Sequence, residues 1–309
     1  MTAKKPTNLA ASVRQRLYNL ARAGGEELQL VLTRYGVERL LYRLSHTPGG
    51  ERFVLKGAVL FYAWEGAPHR PTRDVDFAVS GDPSPEAITG LFRAVCKAEV
   101  EPDGLSFLTD TVSLRAIRDL QEYGGVRVNL TAVLGAARIP LQVDIGFGDA
   151  ITPGPRLETI PTLLDFLAPT VWSYPPETVI AEKFEAMVSL GMANTRLKDY
   201  FDLWQLARTR EFDGSTLAKA IEATFRRRGT PIPTQPPLAL TPVFGTDVEK
   251  QAQWRRFLTR GLISAAPGSL VDVVKRLAGF LLSPAAAAAA SESFEAHWVP
   301  ATGWSYRPD

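Results

Sequence analysis

Two neighbouring stretches, residues 52–61 and 73–77, leave this chain few folds to choose from. Phe53, Val54 and Leu55 make a short apolar run that reads as a buried strand, and Gly57 breaks it without a side chain. Residues 59–64 then have the apolar character of the first turns of a helix. Beyond a loop holding Pro68 and Pro71, residues 74–79 read as a second strand. Side chains alternate across a strand, so Asp74 and Asp76 share one face while Val75 and Phe77 share the other. Two close carboxylates repel and are costly to bury unpaired, which makes a shared divalent cation a natural partner. Hard oxygen ligands of this kind suit Mg²⁺ or Mn²⁺. The turn at Gly57 and Ala58 opens a helix whose first N–H groups can hold phosphate. A phosphate cradle followed by a metal-binding pair is the layout phosphoryl transfer needs. A pair of solvated acids on an edge strand is the plainer alternative, and the spacing alone leaves it open.

Composition narrows the class. With 309 residues, 45% hydrophobic and 22% charged, the chain has the make-up of a soluble globular protein of one large or two ordinary domains. A net charge of +2 is too small to argue for nucleic acid, though it permits a local basic surface. Cys96 is the lone cysteine, which excludes a disulfide framework and a cysteine zinc cluster. It follows the apolar run 88–95 and reads as a packed small hydrophobe. His46, His69 and His297 are scattered, which argues against a histidine metal site. The first eight residues hold no apolar signal, and no run reads as membrane-spanning, so a cytoplasmic protein without a membrane partner is expected.

In order along the chain, residues 10–23 and 26–44 read as amphipathic helices. Their arginines, Arg14, Arg16, Arg22, Arg34, Arg39 and Arg43, are expected on a solvated face. A helix over 83–100 is followed by strands over 111–117, 125–132 and 139–147, the last two joined as a hairpin at Gly135. In the third of these, Gln142, Asp144 and Gly146 share a face opposite Leu141, Val143 and Ile145. Asp144 alone reads as a partly exposed acid; after the strand of Asp74 and Asp76 it is also the third carboxylate such a site wants. Residues 151–174 hold four prolines and read as a crossing, dividing a sheet-bearing part, 1–150, from a mainly helical one, 151–309.

Pro176 is a good first residue for a helix over 177–190, with Thr178, Glu182, Glu185 and Ser189 on its wet side. Lys183 has Val179 and Ile180 one turn before it and Ala186 and Met187 one turn after. It either snorkels out or reaches an anion in a cleft. Asn194 or Thr195 can cap the next helix, which opens with Arg196, Lys198, Asp199 and Asp202. Two acids on an apolar-flanked face beside two cations read either as a network tying two helices or as a substrate-binding one. Residues 226–228, three arginines, either complement a helix C-terminus or touch an RNA backbone. Helices follow over 248–262 and 270–282, with a separate alanine-rich helix after Ser283 and Pro284 and a docking tail that holds Trp298 and Trp304.

These motifs, taken together and in order, resemble the AbiEii/AbiGii toxin family of minimal nucleotidyltransferases, whose relatives include the mycobacterial MenT toxins. The resemblance runs from the first helix to the tail. Leu55, Lys56, Gly57 and Ala58 look like the family's strand-to-helix turn, with Ala58 in place of a small polar residue or glycine. That change removes a hydroxyl and leaves backbone donors for phosphate. Thr72, Arg73, Asp74, Val75 and Asp76 look like the metal motif, with Asp74 and Asp76 as ligands and Thr72 and Arg73 near the nucleotide. Glu182 and Lys183 look like the third motif, whose lysine is expected at the triphosphate. Residues 196–202 look like the fourth, with Asp199 the acid important for activity.

The resemblance implies an α+β fold: a nucleotidyltransferase-type mixed β-sheet core with a helical C-terminal lobe. It implies a nucleoside triphosphate substrate bound in a cleft, Mg²⁺ as cofactor, and a separate winged-helix-type antitoxin protein. The acceptor it implies is the tRNA 3′ end. Lys183 then binds the triphosphate; Asp199 organises Lys183 or the acceptor, supported by Arg196, Lys198 and Asp202; and Asp144 completes the metal site or acts as a base. Two other readings stay open. A small-molecule nucleotidyltransferase of the antibiotic-modifying sort would show an acidic acceptor pocket, and a non-catalytic nucleotide- or RNA-binding module would keep the fold without the reaction.

Overall fold

The computed structural model describes residues 8–66, 70–72, 74–80, 84–117, 124–261, 263 and 268–306. The chain divides into two compact units, residues 1–149 with 156–173, and residues 150–155 with 174–309.

The first unit is built on a seven-stranded mixed sheet. Helices α1 (Leu9–Gly24) and α2 (Leu28–Ser45) precede β1 (Phe53–Lys56), α3 (Val59–Glu65), β2 (Asp74–Val79) and α4 (Pro85–Lys97). Then come β3 (Leu105–Ile117), β4 (Gly125–Leu134), β5 (Ala137–Phe147), β6 (Arg156–Thr159) and β7 (Thr170–Ser173). The strand order is β3-β4-β5-β2-β1-β7-β6. β2 runs parallel to β5 and antiparallel to β1, so the strand of paired acids lies at the centre. One face of the sheet is apolar: Phe53, Leu55, Val75, Phe77, Val128, Leu130, Leu141, Val143 and Ile145 are all buried there. Helix α2 packs against it so closely that a Cβ on Gly36 would lie 3.1 Å from Leu141 and 3.3 Å from Ile139. The opposite face carries the polar set Asp74, Asp76, Asn129, Arg127, Gln142 and Asp144, each half-buried.

Residues 156–173 return to this sheet as β6 and β7, and so group with the first unit instead of forming a crossing from residue 151 onward. Prolines 155, 161 and 169 sit just outside these short strands, where their missing donors cost no ladder bond. Of the arginines of the helical preface, Arg14 and Arg22 are exposed as expected, but two others depart from a solvated face. Arg39 and Arg43 are buried. Arg43 donates from Nη1 and Nη2 to the two oxygens of buried Asp103, at 2.6 and 3.0 Å. Arg39 donates to the Leu167 carbonyl at 2.6 Å and lies over the Tyr42 ring. Strand β3 begins at Leu105, earlier than its sequence pattern shows, because its register shifts between Leu108 and Ser113. Thr111 fills the irregularity by accepting from Thr131 N and donating to Leu108 O.

The second unit is helical with a small sheet. It comprises α5 (Pro176–Leu190), α6 (Leu197–Thr209), β8 (Phe212–Asp213), α7 (Gly214–Arg227), α8 (Pro242–Thr246), α9 (Val248–Arg260), α10 (Leu270–Ala290), β9 (Ala296–Val299) and β10 (Gly303–Tyr306). The tail hairpin β9–β10 pairs with β8, and Trp298 Nε1 donates to the Ala207 carbonyl at 2.8 Å. Residues 270–290 form one continuous helix through Pro284, not two helices. Pro284 has no N–H for the carbonyl of Phe280, four residues earlier. Trp304 Nε1 supplies that donor at 2.9 Å, which offsets the lost helix bond. By length and composition α10 could cross a membrane, contrary to the sequence reading, but Val273, Val274, Leu277, Phe280 and Leu281 are buried in this unit as core.

The wet side expected of α5 holds only in part: Ser189 is exposed and Glu182 half-buried, but the other two residues are buried. Thr178 is fully buried and donates to the Thr152 carbonyl at 2.8 Å. Glu185 is buried between Arg228 and Thr230, at 2.6 Å from each. Arg228 is thereby committed to an internal ion pair, and Arg226 pairs with Glu222 on its own helix.

Candidate active site

Strand pairing brings the first candidate residues together. Asp76 lies directly opposite Asp144 across the parallel β2–β5 pair, and Asp74 opposite Gln142. Asp74, Asp76 and Asp144 each offer a carboxylate oxygen, and these oxygens lie within 4.8 Å of one another. Three half-buried hard oxygen donors on one sheet face fit a divalent cation of the Mg²⁺ or Mn²⁺ class. Thr72 donates its hydroxyl to Asp74 Oδ1 at 2.7 Å and so orients that carboxylate.

Gly57 makes room for Asp76. Its φ is +77°, and a Cβ there would fall on Asp76 Oδ2 and come within 2.9 Å of Cγ. The glycine after β1 is therefore required by the acid pair as much as by the turn. Helix α3, which it opens, has only seven residues, and its Leu60 and Phe61 N–H groups already bond the Gly57 and Ala58 carbonyls. Lys56, directly opposite Asp76, has its ammonium 2.6 Å from Asp149. Arg73 and Pro68 lie outside the described residues.

Arg127, not singled out in the sequence, completes this face. The two-residue hairpin turn sets it directly opposite Asp144. Its Nε and Nη2 donate to the two Asp144 oxygens, both at 2.7 Å. Gln142, with its amide oxygen toward Arg127, accepts from Nη2 at 3.1 Å and Nε at 3.2 Å. The hydrogen bonds from Arg127 to Asp144 push the guanidinium above its usual range against burial, and the charges of Asp144, Asp74 and Asp76 add to that rise. Counting outward from the turn at Gly135 pairs Arg127 with Asp144, and that was the available signal.

The second group of candidates forms its own centre in the helical unit. Lys183 Nζ lies 2.6 Å from Asp199 Oδ1 and 2.8 Å from Asp202 Oδ2, and Arg196 Nε lies 2.6 Å from Asp199 Oδ2. Asp199 and Asp202 are 1% and 0% exposed. Burial pushes the Asp199 carboxyl up, but the Lys183 and Arg196 charges outweigh it and hold the group below its ordinary value. Lys183 therefore does not snorkel; it ties α5 to α6. Lys198 is exposed. Asn194 does not cap α6 by its side chain at the expected position, but accepts from Arg196 N at 2.8 Å.

A family model for the nucleotidyl transferase AbiEii toxin of type IV toxin–antitoxin systems matches residues 39–283. The chain belongs to that family. Among solved structures, a proposed nucleotidyltransferase from H. pylori is similar at a TM-score of 0.48 and 16% identity, over 86% of this chain and 96% of its own. JHP933 from Helicobacter pylori gives 0.42 at 16% identity, over 82% and 88%. Curated protein sequences return no match. As an AbiEii-family protein the chain is a nucleotidyltransferase toxin, and membership implies a nucleotide substrate and an antitoxin partner. The mixed seven-stranded sheet and helical remainder are the α+β fold expected of it.

Proposed function

We propose that this toxin transfers a nucleoside monophosphate from a nucleoside triphosphate to an RNA hydroxyl, the tRNA 3′ end, in the cytoplasm. The observation that supports the reading most is the approach of Asp74 and Asp76 oxygens to within 4.8 Å of each other on the polar face of the sheet. An acceptor oxygen attacks the α-phosphorus, the new P–O bond forms, and the bond to the bridging oxygen breaks. Pyrophosphate leaves with the electron pair, and the acceptor proton passes to solvent. Asp74 and Asp76 are the residues that would hold Mg²⁺, which supplies charge neutralisation at the phosphate oxygens. Thr72 keeps Asp74 oriented, and Gly57 leaves Asp76 its place. Lys183 is assigned to the triphosphate as a point charge, and Asp199, with Arg196 and Asp202, to positioning it.

The test incubates purified protein with total tRNA, Mg²⁺ and each α-labelled triphosphate in turn, beside Asp74→Asn. Label on tRNA with the intact protein alone supports the reading and names the nucleotide. Label on a small molecule instead moves the acceptor to the antibiotic-modifying class. A bound triphosphate with no product of any kind leaves a binding module.

A further inference from the structure

The Arg127–Asp144 fork bears on how the acid face meets its substrate. An arginine offers five N–H donors, and a carboxylate met side-on takes only the Nε and Nη2 edge. That is the edge Arg127 gives to Asp144. The remaining nitrogen, Nη1, makes no hydrogen bond to any described residue, and the side chain is 39% exposed. Arg115 lies directly opposite Arg127 on β3 and is exposed. Like charges directly opposed on a ladder are unfavourable without an anion to bridge them. On the other side stand Asp74 and Asp76, whose charges already reach Arg127. A cation pair flanking an acid pair on one sheet face is charge-complementary to a metal-bound polyphosphate.

We propose that Arg127 is a phosphate-binding residue for the nucleoside triphosphate, and that Asp144 is its positioning residue and not a third metal ligand. The proposal rests on the nucleotidyltransferase reading. Asp144 spends both oxygens on the fork. A cation placed on the same carboxylate would stand beside a guanidinium that cannot lose its charge. Arg127 thus offers Nη1 to the phosphates, steadied by Asp144 and Gln142.

Calorimetric titration separates the two roles without turnover. Mn²⁺ alone, and the Mg²⁺ complexes of α,β-methylene analogues of the four ribonucleoside triphosphates, are titrated into intact protein, Asp74→Asn, Asp144→Asn, Arg127→Gln and Arg127→Ala. Arg127→Gln keeps a hydrogen bond to Asp144 without the charge, and circular dichroism checks each fold. Analogue affinity is expected to fall about 10-fold or more in both Arg127 variants and in Asp144→Asn. Mn²⁺ affinity is expected to collapse in Asp74→Asn alone, and Arg127→Ala combined with Asp144→Asn should be no weaker for the analogue than Arg127→Ala. Loss of Mn²⁺ affinity in Asp144→Asn, matching Asp74→Asn, overturns the assignment. So does unchanged analogue binding in Arg127→Ala while the intact protein binds both probes. Intact protein that takes neither Mn²⁺ nor any analogue overturns the nucleotidyltransfer reading and this assignment together.

Discussion

Replacing Lys183 with methionine separates structural from chemical roles in the helical unit. The ammonium sits 2.6 and 2.8 Å from two carboxylates that are 1% and 0% exposed. Without it, two buried negative charges face each other, and the Arg196 guanidinium reaches Asp199 from a half-exposed position. Breaking a buried pair by removing one partner costs ~3–5 kcal/mol, a sizeable share of the ~5–15 kcal/mol that holds a domain folded. The pH dependence carries a sign. In the intact protein the Asp199 carboxyl is held low, so its contribution is present above the unfolded value near ~3.9 and is lost as pH falls through the folded value. In Lys183→Met burial takes over and the folded value rises. Its deficit is then largest at neutral pH and shrinks as acid neutralises the pair, by ~1.4 kcal/mol for each pH unit that separates the folded from the unfolded value. Urea unfolding followed by tryptophan fluorescence from pH 4 to 8 measures this. Adding Asp202→Asn to Lys183→Met should recover much of the stability while transfer activity stays lost. A loss under ~1 kcal/mol with an unchanged pH profile would refute the idea that Lys183 neutralises this buried centre.

Two further perturbations test the local arguments. Gly57→Ala forces a side chain onto Asp76 at a left-handed position, so it should cost ~1–2 kcal/mol in thermal stability and lower Mn²⁺ affinity and transfer in step. Trp304→Phe leaves the Phe280 carbonyl without its donor and should cost ~1–3 kcal/mol by urea unfolding; Pro284→Ala in that background should return part of the loss, because it restores a helix N–H.

Where one short-range rule acted alone, the sequence was legible. Alternation of Asp and Val puts Asp74–Val79 on a strand with its acids on one face, and β2 has those bounds. Pro176 opens α5 as its missing N–H predicts. Where long-range pairing decides, the sequence was silent or misleading. Arg39, Arg43 and Glu185 read as solvated charges, and Arg228 as a helix-end or RNA-touching one, because their partners, Leu167, Asp103 and Thr230 among them, lie far along the chain or across a loop. Pro284 reads as a break because the donor that replaces its own comes from Trp304 in the tail. β6 and β7 are four residues each, too short for alternation to stand out among prolines. Arg127 needed the hairpin register to be counted, and Lys183 could be given two destinations until α6 placed Asp199 and Asp202 beside it.

The most direct measurement is crystallographic: anomalous scattering from crystals grown with Mn²⁺ and the α,β-methylene triphosphate analogue that binds. The account predicts a Mn²⁺ peak within ~2.0–2.3 Å of the Asp74 and Asp76 oxygens, with the analogue's phosphates on it. A peak elsewhere, or an ordered analogue with no metal on that acid pair, would contradict it.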